Sequence, residues 1–147
     1  KMSTSLDGAG TSIIPSFRYN DAKRAIGWLC EAFGFSEHLV VPGEGDASVI
    51  HAQLVLGNAM VMLGSADSHG GNAIDVRVRP ATELGGVTNA SVYLVVPDAD
   101  AHHARAVAAG AEIVMEIEDQ GYGGRAYSCL DLEGNVWSFG TYDPWSD

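Results

Sequence analysis

Asp131-Leu132-Glu133-Gly134-Asn135-Val136-Trp137-Ser138-Phe139-Gly140 reads as the end of one strand, a tight turn at Glu133-Gly134-Asn135, and a second strand. Gly and Asn accept positive φ at little cost, which suits them to such a turn. The same layout stands earlier, as Leu54-Val55-Leu56-Gly57-Asn58-Ala59-Met60-Val61-Met62-Leu63-Gly64. Laid one under the other, Leu54 meets Leu130, Leu56 meets Leu132, Val61 meets Trp137, Leu63 meets Phe139 and Gly64 meets Gly140. Both are apolar hairpins closing on a glycine. The overlay predicts a chain built from two copies of one module.

Upstream of the first hairpin, residues 1–11 read as a loose tail. Thr11 to Tyr19 reads as an edge strand, because it carries Pro15. Asn20 or Asp21 caps a helix whose Ala22, Ala25, Ile26, Leu29 and Phe33 form one stripe, and Gly34 ends it. Phe35 to Val41 is a strand with a turn at Pro42-Gly43-Glu44-Gly45. Ser48 to Leu56 and Ala59 to Gly64 are the hairpin, so the module is β-α-β-β-β. Residues 65–89 are rich in turn formers and read as a linker.

The pattern then restarts. Ala90 to Val96 is a strand. Asp98 caps a helix with Ala104, Val107, Ala108 and Ala111 as its stripe. Glu112 to Ile117, Arg125 to Leu132 and Val136 to Tyr142 complete the copy. The expected fold is α+β, with module one at about 11–64 and module two at about 90–143. The whole chain, 1–147, is expected to form one domain, with the modules' curved sheets around a central cavity.

The chain carries 19 Asp and Glu against 8 Lys and Arg, a formal charge of -11. That balance argues against nucleic acid and anionic membrane as partners and permits a cationic ligand. No apolar run is long enough to span a bilayer. No apolar stretch follows Lys1-Met2-Ser3-Thr4-Ser5, so no secretory leader is expected there. Cys30 and Cys129 form no CxxC and read as reduced thiols of a cytoplasmic protein. Gly121-Tyr122-Gly123-Gly124 is not a phosphate loop, since no Lys-Ser/Thr follows and no helix starts there.

Two stretches resemble the vicinal oxygen chelate superfamily of glyoxalase I, extradiol dioxygenases and bleomycin-resistance proteins. One is Asp21 through Phe35, an Asp-x-x-x-Ala-x-x-Trp-Leu-x-x-x-Phe-Gly-Phe pattern. The other is Gly124-Arg125 through Phe139, in which Asp131-x-x-Gly134-Asn135 matches the family's Asp-Pro-x-Gly-Asn/His turn with Leu132 in place of Pro. Val136-Trp137-Ser138-Phe139 looks most like the glyoxalase-like bleomycin-resistance subgroup. The resemblance implies half-open sheets around a ligand cavity and a homodimer.

Enzymes of that family hold a divalent ion with side chains from the first and last strands of each module. Carried over by register, those positions are Ile14, Met62, Ser91 and Ser138. None is the imidazole or carboxylate that such an ion prefers, and one-residue shifts do not supply one. No metal or other cofactor is expected.

Among the histidines, His102 lies opposite the predicted stripe and reads as solvated, with His103 on its flank. His38 reads as surface and His69 as part of the linker. His51 is the exception. If the metal-equivalent positions face the cavity, the strand period of two turns Met60 and Met62 inward on one strand. Ser91, Tyr93 and Ser138 turn inward on two others. His51 and Gln53 then face inward, with Tyr127 and Cys129 as their counterparts. His51, Gln53, Met60, Met62, Ser91, Tyr93, Tyr127 and Ser138 are therefore the candidate ligand-binding residues. No catalytic residue is assigned. Thioethers, rings and a few directional groups make a small-molecule pocket.

The expected function is metal-free sequestration of a planar or cationic organic compound, as in bleomycin resistance. The alternatives are a glyoxalase-like lyase or isomerase, a dioxygenase, or a metal-independent enzyme using His51 or Tyr127.

Overall fold

The computed structural model describes residues 7–146. The first six residues of the predicted tail, with the Lys1–Ser5 stretch, lie outside the described residues. Module one comprises β1 (Ser16–Tyr19), α1 (Ala22–Phe33), β2 (Ser36–Pro42), β3 (Val49–Leu56) and β4 (Ala59–Ser65). Module two comprises β5 (Val92–Val95), α2 (Ala99–Ala108), β6 (Glu112–Asp119), β7 (Arg125–Leu130) and β8 (Val136–Gly140). Each forms one mixed four-stranded sheet, in the orders β1-β4-β3-β2 and β5-β8-β7-β6. β1 runs parallel to β4 and β5 parallel to β8, while the remaining pairs are antiparallel. The fold is α+β with two β-α-β-β-β modules, as the duplication predicts.

α1 follows its sequence closely. The Asp21 carboxylate accepts the Arg24 N–H, and Gly34 closes the helix at φ +89°. A residue with a Cβ is strained at that φ, so glycine is needed there. Ala22, Ala25, Ile26, Leu29 and Phe33 are all buried. Leu29 and Phe33 each contribute about 1.5–3 kcal/mol by leaving water.

α2 does not follow the predicted stripe. Ala104, Val107 and Ala108 are exposed, and the buried face carries Ala99 and Ala106 with His102 and His103 half-buried between them. In an alanine-rich helix no large apolar side chain marks the inner face, so polar partners decide it. His102 finds them: its Nδ1 lies 2.7 Å from the Tyr127 hydroxyl and its Nε2 lies 2.8 Å from the Phe33 carbonyl.

The two helices pack against each other. Trp28 Nε1 donates to the Ala109 carbonyl at 2.9 Å, and Arg105 Nε donates to that of Glu31 at 2.8 Å. The Phe33 ring sits 5.1 Å from Trp137 and 4.7 Å from Phe139, both on β8. The helix-side faces of both sheets thus share one core. That core fills the space between those two faces. The opposite faces are the open ones, with Tyr93 39% and Val95 46% exposed.

The hairpins differ in one respect that the gapless overlay misses. Leu56 pairs with Ala59 across the two-residue turn Gly57-Asn58. Leu130 pairs with Val136 across five residues, Asp131 to Asn135. The longer loop slips β7 by one residue relative to β3, so Ser128, opposite Ser138, is the counterpart of Gln53, opposite Met62. A slip of one exchanges the faces of a strand.

The segment between the modules is more than a spacer. Asp75 has no exposed surface, and its Oδ2 accepts the N–H groups of His69 and Gly71 at 3.0 Å each. Its Oδ1 meets Arg18 of β1 at 3.3 Å. A buried carboxylate is stable only when paired and hydrogen-bonded in this way.

Candidate functional site

The open face of sheet one is built on β3 and β4. Ala52, Leu54, Val61 and Leu63 point to the core, so alternation turns His51, Gln53, Met60 and Met62 to the other side. All four are half-buried. Gln53 lies beside Met62 across the ladder, and its Nε2 donates to the Met60 sulfur at 3.7 Å. Ser16 flanks Met62 on β1. The result is two adaptable thioethers with an amide and an imidazole beside them.

The open face of sheet two carries Tyr93 beside Ser138. Tyr93 donates its hydroxyl to the Tyr142 carbonyl at 2.6 Å. Burial, followed by the negative charge that Tyr122 and Asp143 would add, raises its pKa, so it is a neutral phenol. Ser138 and Ser128 share a 2.6 Å hydroxyl–hydroxyl bond. Ser91 lies exposed just before β5. Seven of the eight candidate residues therefore sit on or beside the open faces.

Tyr127 does not. It pairs with Phe139 on the helix side, is 1% exposed, and has its hydroxyl against His102. Burial raises its pKa far above the ordinary phenol value. Cys129 follows it onto that face, where burial, with Asp131 nearby, pushes the thiol up to about 12. Neither is a nucleophile or base at neutral pH. The slipped register explains both placements, and it is what the gapless overlay could not reveal. Ser128 is the inward residue the sequence reading missed.

His102 is likewise not solvated. Its ring lies 4.1 Å from that of Phe139, tilted by 32°, and burial lowers its pKa. The Phe33 carbonyl can only accept, so Nε2 carries the proton and Nδ1 accepts from Tyr127. Arg125 pairs with Asp100 and Asp119 at the surface, 3.0 Å from each.

The family's metal positions can be tested on this register. Met62 lies beside Ser16 and Ser138 beside Tyr93, which keeps the module correspondence intact across these strands. A thioether, two hydroxyls and the hydrocarbon Ile14 do not make a site for a hard or borderline divalent ion. Among the described residues, no group of three His, Cys, Asp or Glu side chains converges elsewhere. No described helix is long and apolar enough to cross a membrane.

Residues 14–139 match the family model of the Glyoxalase/Bleomycin resistance protein/Dioxygenase superfamily. An uncharacterized protein of Mycobacterium bovis is 36% identical over 131 residues, covering 88% of this chain and 82% of its own. Among solved structures, TioX from Micromonospora sp. superposes with a TM-score of 0.66 at 33% identity, over 88% of this chain and 94% of TioX. The fosfomycin resistance protein FosX from Listeria monocytogenes shares the fold, with a TM-score of 0.65 at 12% identity. That match covers 92% of this chain and 96% of FosX.

Proposed function

We infer the function of this chain from the family it belongs to, the Glyoxalase/Bleomycin resistance protein/Dioxygenase superfamily, together with its own site: it binds a small planar organic molecule and does so without a metal ion. What supports this reading is that Ile14, Met62, Ser91 and Ser138, the positions the family resemblance assigns to a metal, offer no imidazole or carboxylate, and that the open sheet faces bear Met60, Gln53 and His51. Thioethers mould to a flat ring, and the amide and imidazole give direction. Sequestration needs nothing more.

A thiol or phenol reaction draws no support from Cys129 or Tyr127, since both groups are buried in the core. We further propose a homodimer. Each sheet ends in free edges, β1 and β2 in one and β5 and β6 in the other, and a second copy would cover them and oppose the open faces.

In a ligand screen, Met62→Ala is expected to weaken binding by about 1–2 kcal/mol, the worth of the apolar contact it removes. His51→Ala is expected to cost a similar amount if its hydrogen bond is desolvated, on the order of 1 kcal/mol. A ligand that both variants hold as tightly as the parent would remove the open faces from consideration. Sedimentation and elemental analysis of one preparation give the second test. The expected result is a dimer with no stoichiometric divalent ion, and one Zn, Ni, Fe or Mn per chain would sink the metal-free reading.

A further inference from the structure

We propose that residues 67–79 form a strap that closes over Arg18 at one end of the open face of sheet one, is held shut by Asp75, and lifts as a unit while both modules stay folded. Arg18 shares that face with Ser16, two residues before it on β1, and stands beside Gly64 of β4. A side chain on Gly64 would meet Arg18 Nη1 at 3.4 Å, so the guanidinium lies over that glycine. Arg18 is nevertheless only 9% exposed, because His69 and Asp75 of the inter-module segment stand against it.

The strap is bonded within itself far better than to the modules. Arg79 ties its neck, donating to Asp67 at 2.7 Å and to the Asp75 carbonyl at 2.8 Å. Asn72 Oδ1 accepts the N–H groups of Ile74 at 3.0 Å and Asp75 at 2.9 Å. The Ile74 carbonyl accepts those of Arg77 and Val78. A compact loop with joined ends and internal bonds is a structural unit of its own.

Its attachment is narrow. Among residues 67–79 Asp75 alone is buried, and Ile74 and Val76 on either side of it are 55% and 58% exposed. No buried apolar side chain fastens the strap. Beyond Ser65 and Glu83 at its flanks, Arg18 is the one described residue that hydrogen-bonds to it, through Asp75 at 3.3 Å and His69 at 3.5 Å. Both contacts are long, and the buried Arg18 Nε has no partner among the described residues. A segment with few buried apolar contacts and one polar anchor opens locally, and loops that border ligand sites are drawn from that class. Lifting brings Arg18 out beside Ser16 and Met62, and a binding role for that end of the face rests on the open-face reading. The latch is made within one chain and requires no free sheet edge.

The test uses the full chain without ligand. Phenylglyoxal, which modifies arginine, is followed residue by residue by peptide mass spectrometry, alongside amide hydrogen exchange. In the parent, Arg18 is expected to react more slowly than exposed Arg24, and the amides of 67–79 to exchange ahead of those of β3 and β4. Asp75→Asn keeps the size and removes the charge that pairs with Arg18, so Arg18 labelling and strap exchange should each rise about tenfold or more. Arg24 labelling and the exchange of β3 and β4 should stay as they are. Arg18→Gln should free the strap in the same way, read by exchange, and serves where Asp75→Asn does not fold. The proposal is overturned by an Arg18 as reactive as Arg24 in the parent, by strap amides that exchange only together with β3 and β4, or by an Asp75→Asn variant whose Arg18 stays protected. Each of these leaves the open-face reading standing, and a ligand screen that clears Met62 and His51 of any role leaves the strap standing.

Discussion

Asp131→Ala is expected to destabilise the chain by about 4 kcal/mol, because it strips the acceptor from a set of buried donors. The carboxylate is 6% exposed. Its Oδ1 accepts the N–H groups of Glu133 at 2.9 Å and Asn135 at 3.0 Å. Its Oδ2 accepts the Tyr19 hydroxyl at 2.6 Å, the Trp137 indole N–H at 3.0 Å and the Asn135 amide at 3.0 Å. Tyr19 belongs to β1, so this one side chain closes the loop before β8 and ties the modules together. Asp131→Asn tests the same geometry more finely. With oxygen at Oδ1, its amide nitrogen would face three donors at the other position, so the expected loss is about 2 kcal/mol despite equal size. Urea unfolding of the two variants measures both values. A loss under about 1 kcal/mol for the alanine variant would mean that water replaces the carboxylate, and the loop would then not be the tie between modules.

Much of this could be read in the sequence where large side chains mark a face. The α1 stripe, the Asp21 cap, the Gly34 stop and the order of strands all follow from residues whose burial or φ leaves few choices. The open face of β4 was equally legible, because Val61 and Leu63 alternate with Met60 and Met62. What failed was local. The β7 alternation was hidden by a loop that outgrows the Gly57-Asn58 turn, and no residue in β7 announces its face: Tyr127, Ser128 and Cys129 all fit either side. The inner face of α2 was hidden because alanine is at home on both sides of a helix. Asp75 was hidden because its partners are backbone N–H groups and Arg18, which lies 57 positions earlier. Periodicity carries no information about such a contact.

The α2 misreading leads to the second large effect. A solvated His102 would make a harmless control for mutation. Held as it is between the Tyr127 hydroxyl and the Phe33 carbonyl and packed against the Phe139 ring, it is expected to cost about 2–4 kcal/mol when cut to alanine. The loss comes from the Phe33 carbonyl left without its donor, from a Tyr127 hydroxyl reduced to its 3.4 Å bond with the backbone carbonyl of position 102, and from the ring contacts. The same geometry sets a pH dependence. In the unfolded chain the imidazole titrates at its ordinary value of about 6.5. In the fold, burial lowers its pKa, with the nearby Arg105 charge adding to the effect and the Phe33 carbonyl opposing it. The unfolded chain therefore binds the proton more readily, and stability rises with pH through this window. The contribution is fully present above about pH 6.5 and is lost as pH falls from there toward the folded-state value. Protonated Nδ1 could no longer accept from Tyr127, which gives the shift its structural cause. Denaturant midpoints of the parent are expected to drop as pH falls below about 6.5, and His102→Ala should flatten that slope while lowering stability throughout. An unchanged slope in the variant would assign the acid sensitivity to another histidine. An unchanged stability at neutral pH would return His102 to the solvent.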